Sequence, residues 1–240
     1  MGKHKTVLLS VLFLGMTASA GWAGVISFSS SAPSLGTLDQ SQLVSGSSSS
    51  PYLDHSSASL EPGRPWLGQT FTVPAGAGAG GAVLKSFALL LADASDGTRT
   101  FDAQLTQLSA GNVSGGSTTS FSVLATDSAS ADETSVDSGG WLTFAFDPSQ
   151  QPTLIAGQTY GFNISSASSG YGDTVWNDDS TYSPGTGYTI DQGGTSAFGR
   201  GADRAFVATL SAVPEPGSIG VLALAAAPLA LRRRRAVVAR

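Results

Sequence analysis

The stretch FDAQLTQL (residues 101–108) alternates apolar and polar side chains with a period of two. In an extended chain Phe101, Ala103 and Leu105 share one face, and Asp102, Gln104 and Thr106 share the other. A helix would scatter the same residues around its circumference. Strict alternation is the mark of a half-buried strand.

The pattern recurs along the chain. WLTFAF (141–146) gathers Leu142, Phe144 and Phe146, and TYGFNIS (159–165) gathers Tyr160, Phe162 and Ile164. RAFVATLS (204–211) does the same with Phe206, Ala208 and Leu210. Further strands are predicted over 69–73, 83–91, 121–125 and 187–190. Turn-forming runs separate them: PAGAGAGG, DASDGT, SGG, DPSQQP and SPGTG. No stretch between 24 and 213 carries a helical period. The expected fold is all-β: an antiparallel β-sandwich, jelly-roll-like, over residues 61–212. Residues 24–60 hold nine serines between Ser41 and Ser59 and read as a Ser-rich, loosely ordered lead-in. An alternative reading makes this hydroxyl-rich segment a target for O-linked sugars.

Composition narrows the function. The 240 residues include no cysteine, which removes disulfides, thiolate metal sites and cysteine nucleophiles. All seventeen acidic residues lie between Asp39 and Glu215, whereas Lys3, Lys5, Arg232 to Arg235 and Arg240 sit at the ends. The body keeps five basic residues against seventeen acidic ones, a formal charge of −12. Such a surface repels phosphate backbones, so nucleic acid is not an expected partner.

Both ends read as addresses. Residues 1–23 combine a basic start, an apolar run from Val7 to about Met16, and small residues at Ala18, Ala20 and Ala23. This is the pattern of a signal peptide, a short helix removed by signal peptidase, with Gly21 or Gly24 as the new first residue. At the other end, Pro214-Glu215-Pro216 precedes a fourteen-residue uncharged run, 218–231, and then Arg232, Arg233, Arg234 and Arg235. As a helix that run spans about 21 Å, short of the roughly 30 Å hydrocarbon core. The arginines should stay cytoplasmic, leaving the acidic body outside.

Residues 213–240, in that three-part order, resemble the PEP-CTERM sorting signal of Gram-negative bacteria. The resemblance implies a C-terminal transmembrane helix that anchors transiently in the inner membrane. It also implies a membrane-embedded exosortase that reads Pro214, Glu215 and Pro216 and passes the body to the cell surface or exopolysaccharide matrix. Pro228 within the run and AVVAR after the arginines depart from the pattern, and an ordinary tail anchor is the competing reading. LGQTFTVP, TLIAGQTYGFNIS and RAFVATL more loosely resemble extracellular sandwich domains that precede such tails. That likeness implies a fold rather than an activity.

Catalytic signatures are sparse. After signal removal the one histidine is His55, in the serine-rich segment, where nothing orients an imidazole for a Ser-His-Asp arrangement. One histidine and no cysteine also argue against zinc. No catalytic residue is assigned, and the chain is expected not to be an enzyme. The richest cluster is YGDTVWNDDSTY with Tyr188 beyond it. Tyr171, Trp176, Tyr182 and Tyr188 are candidates for binding an extracellular polysaccharide. Asp173, Asp178 and Asp179 are candidate calcium ligands, or carboxylates for a glycoside hydrolase. The competing reading places the aromatics in the core and the acids in solvated turns. Asn112-Val113-Ser114 and Asn163-Ile164-Ser165 match the glycosylation sequon, and in a bacterial chain such short matches read as chance.

Overall fold

The computed structural model of the chain describes residues 24–43, 52–53, 66–91, 98–132, 140–166, 175–177, 182, 185–190, 194–201 and 203–215. The first strands are β1 (Val25–Ser29), β2 (Gln40–Gln42), β3 (Tyr52–Leu53), β4 (Trp66–Thr72) and β5 (Ala82–Leu90). Next come β6 (Thr98–Leu108), β7 (Thr118–Asp132), β8 (Trp141–Ala145) and β9 (Thr159–Ser166). The last are β10 (Val175–Asn177), β11 (Gly187–Ile190), β12 (Ser196–Gly199), β13 (Asp203–Arg204) and β14 (Phe206–Ala212). Single 3-10 turns at Ala75–Ala77 and Pro148–Gln150 are the helical elements among the described residues.

Two antiparallel sheets pack face to face as a sandwich. The first runs β1-β8-β5-β14-β2. The second runs β12-β7-β6-β9-β4-β11, and β11 pairs back onto β12, closing it into a ring. A small ribbon, β13-β10-β3, stands beside them. The pairings are nested: β2 with β14, β4 with β9, β5 with β8, β6 with β7.

The alternating residues make the core. Phe87 on β5 stacks on Phe162 of β9 across the sandwich, centroids 4.3 Å apart and planes within 12°. Phe144 lies against Phe87 on the first sheet, at 5.8 Å and 10°. Each fully buried phenylalanine contributes roughly 1.5–3 kcal/mol of hydrophobic stabilisation. Between Thr209 and Leu210 the pairing of β14 with β5 slips by one residue. The extra residue, Lys85, is exposed, and the bulge lets Leu84 and Phe87 both point inward.

Two expectations are corrected. Residues 24–43 are not a loose lead-in: β1 pairs along β8, and β2 pairs along β14. Serine content concealed the alternation in VISFS, which turns Ile26 and Phe28 onto the core. On β6 the alternation holds, with Phe101, Ala103 and Leu105 buried and Asp102 and Gln104 half-buried, but β9 is not half-buried. The centres of β4 and β9 are buried on both faces, because β11 and β12 cover the side turned away from the sandwich.

Candidate functional site

The aromatic cluster proposed from sequence is only partly described. Tyr171, Asp173, Asp178 and Asp179 lie outside the described residues, and Trp176 is described by backbone pairing alone, opposite Tyr52 and Arg204. Tyr182 and Tyr188 are described, and both are buried rather than presented to solvent. As members of a sugar-binding platform, these two are corrected.

Tyr188 fills the ring. Its side chain lies over Gly68 of β4 and Gly161 of β9, where any Cβ would collide with it. Its Oη is 3.0 Å from Thr106 Oγ1, and burial holds the hydroxyl well above the usual tyrosine range. Tyr182 packs edge-on against Phe206 at 5.0 Å and donates to Gln40 Oε1 at 3.0 Å. Burial pushes its hydroxyl up to about 12.

Between the tyrosines runs a buried polar chain that sequence reasoning missed. Arg204, fully buried, donates from Nε to the Gly68 carbonyl at 3.0 Å. Its backbone N–H donates to Gln69 Oε1 at 2.8 Å, and Gln69 Nε2 donates to Asp203 Oδ1 at 3.0 Å. The Tyr182 N–H donates to Asp203 Oδ2 at 3.1 Å. Burial pushes the Asp203 carboxyl up, against those two hydrogen bonds, which favour its charged form. Every polar group here is turned toward another part of the chain, so the chain of contacts ties β13 to the second sheet.

An open groove of about 620 Å³ lies at the end of the second sheet beyond the ring. Asp102 and Gln104 of β6 face it with their cross-strand neighbours Ser128 and Thr126, and Trp66 borders it. Asp127, Asp147 and Gln150 also line it. Asp127 accepts the N–H groups of Gly24, Ser128 and Asp147 at 3.1, 2.8 and 2.8 Å. Asp147 in turn accepts the Ser149 N–H at 2.7 Å. Two of the three carboxylates therefore hold backbone. Among the described residues no three acidic or histidine side chains converge to hold a metal ion. Asn163, behind Gln104, donates to its Oε1 at 3.4 Å, while Asn163 Oδ1 is buried without a partner. That asparagine is fully buried, so its sequon is closed to modification in the folded chain.

The chain leaves the sandwich beside the loop 74–81. After β14, the Val213 N–H donates to the Gly81 carbonyl at 2.9 Å. The Val213 carbonyl presses so closely on Gly80 that a Cβ there would overlap it. Pro214 and Glu215 are exposed, and Pro216 and Arg232 to Arg235 lie outside the described residues. Comparison with protein-family models, curated proteins and solved structures finds no match to the chain.

Proposed function

We propose that the chain is an exported, surface-sorted, non-catalytic protein, a structural or adhesive component of the bacterial envelope or exopolysaccharide matrix. The observation that carries this reading is the junction at Val213. The last strand ends, one backbone hydrogen bond ties the exit down, and Pro214 and Glu215 follow at once, exposed. The motif thus stands between a folded body and an apolar run, where a processing enzyme needs an accessible, helix-resistant backbone. Signal peptidase, an exosortase and extracellular polysaccharide are the partners of this proposal; nucleic acid is not. Nested pairing of β2 with β14, β4 with β9, β5 with β8 and β6 with β7 supports a jelly-roll, a folded-over hairpin of two Greek keys.

Replacing Glu215 with alanine tests the sorting reading. Insertion should be intact and release blocked, so full-length protein accumulates in the inner membrane. Changing Arg232 to Arg235 to serine should impair retention or orientation before processing. Glu215→Ala protein trimmed and delivered like wild type would make the tail an ordinary anchor.

A second reading, glycan binding, is favoured by the groove rather than by the tyrosines. One indole, three carboxylates, of which Asp127 and Asp147 hold backbone, two amides and two hydroxyls line an open cleft, and such groups stack on and hydrogen-bond a sugar. Binding on a glycan array that Trp66→Ala abolishes would support it. A carboxylate hydrolase is the third reading, and turnover lost on Asp→Asn changes at Asp173, Asp178 or Asp179 would be its sign.

A further inference from the structure

We infer that the pole of the sandwich around the chain exit rests on the outer surface of the bilayer that holds the tail. This inference rests on the sorting reading above. Four peptide steps separate Glu215 from Ile219, the first large apolar residue of the run. Extended, they reach at most about 14 Å. Roughly 6 Å of that is taken by the headgroup layer on each side of the hydrocarbon core. While the tail is inserted, the exit pole is therefore held within less than one domain radius of the membrane surface.

The pole has the composition such a position requires. The loops that meet there, 74–81 and 153–158, contain no charged residue. They are joined to each other by the Ala82–Leu154 bridge and by Val73 with Gln158. Ala75, Gly76, Gly78 and Ala79 are exposed, and Ile155 is 64% exposed, the most exposed large apolar side chain among the described residues. Asp39, also near this end, is occupied by the backbone N–H groups of Gly36 and Leu210. In a body of charge −12, a pole that among the described residues has no free acid except Glu215 faces lipid headgroups without the repulsion the other surfaces would meet. Small, uncharged loops with one projecting isoleucine suit a lipid surface, where an apolar side chain enters the interfacial layer.

The absence of native cysteine makes the test direct. Single cysteines are placed at Ile155, Ala75, Ser130 and Leu224 in the full chain, labelled with an environment-sensitive fluorophore, and reconstituted into phosphatidylcholine vesicles containing headgroup- and chain-linked quenchers. Ser130 lies at the opposite end of the sandwich and Leu224 in the tail. Loss of emission at Ile155, Ala75 and Leu224, with Ser130 unaffected, is the expected result. Quenching at Leu224 with Ile155 and Ala75 behaving like Ser130 overturns the resting pole and leaves the inserted tail standing. No quenching at Leu224 overturns both. Shielding of Ile155 that requires an added membrane enzyme assigns the pole to a protein and overturns the lipid assignment.

Discussion

Tyr188 occupies the space that Gly161 leaves open: the tyrosine hydroxyl lies where a Cβ of residue 161 would be, and Thr106 Oγ1, its hydrogen-bond partner, crowds the same position at 2.9 Å. Gly161→Ala should therefore destabilise the fold by about 1–3 kcal/mol, the usual cost of overpacking a closed interior. Removing the hydroxyl should relieve part of that. In a double-mutant cycle read by urea unfolding, Gly161→Ala should cost less beside Tyr188→Phe than alone. Additive costs would place the ring elsewhere.

Phe144 is the clearest core position foreseen from the alternation. It is fully buried, stacked on Phe87 and edge-on to Phe146 at 5.3 Å. Phe144→Ala should cost about 3–5 kcal/mol in equilibrium unfolding. A loss below about 1 kcal/mol would put the residue at the surface.

Alternation showed where strands lie, because a period of two needs only local sequence. It did not show what covers their second faces. In TYGFNIS the sandwich-facing Tyr160, Phe162 and Ile164 are legible, while Gly161 and Asn163 between them look like a solvent face. Glycine in mid-strand was the available signal: it marks close approach of another group, here the Tyr188 ring. The polar floor of the groove, Asp102 and Gln104, was legible in the same way. Its border with Asp127 and Asp147 was not, since it depends on β1 and β8 meeting the end of β7 in space. Likewise Arg204 reads as a surface charge until β13 is seen against Gln69.

Asp127 is a further position whose weight comes from such long-range placement. Three backbone N–H groups converge on its two oxygens, those of Gly24, Ser128 and Asp147. Asparagine would put a donor amide where an acceptor oxygen stands. Asp127→Asn should cost about 1.5–3 kcal/mol, as for hydrogen bonds to a charged group. Hydrogen exchange should show β1 released first, because Gly24 is its anchor. An unchanged unfolding midpoint would count against the contact.

The buried tyrosines set an alkaline limit. In the unfolded chain a tyrosine hydroxyl ionises near 10, whereas Tyr182 in the fold holds its proton to about 12. The folded-state value is raised, so this stabilisation is complete below about pH 10 and falls as pH climbs toward 12. That shift corresponds to roughly 3 kcal/mol, and Tyr188 is shifted in the same direction. The urea midpoint should drop between about pH 10 and about pH 12, and less steeply in Tyr182→Phe. A flat profile would mean both hydroxyls reach water.

The exit strap yields the last expectation. The Val213 N–H is bonded to the Gly81 carbonyl, and the Val213 carbonyl crosses close over Gly80. Both sides of that contact are backbone, so a Cβ at residue 80 has no flexible neighbour to push aside. Gly80→Ala should lift Val213 away and free residues 213–215, while the sandwich core keeps its unfolding midpoint. Amide exchange at Val213 should accelerate as its hydrogen bond is lost. Gly76→Ala, in the same loop, is the matched comparison: its nearest neighbour is Leu38 Cδ2 at 3.6 Å, an ordinary contact, so exchange at Val213 should not change. If Gly80→Ala exchanges at Val213 like wild type, the loop has moved instead of the strap. The glycines would then contribute only turn geometry, not the close seat from which the chain leaves the domain.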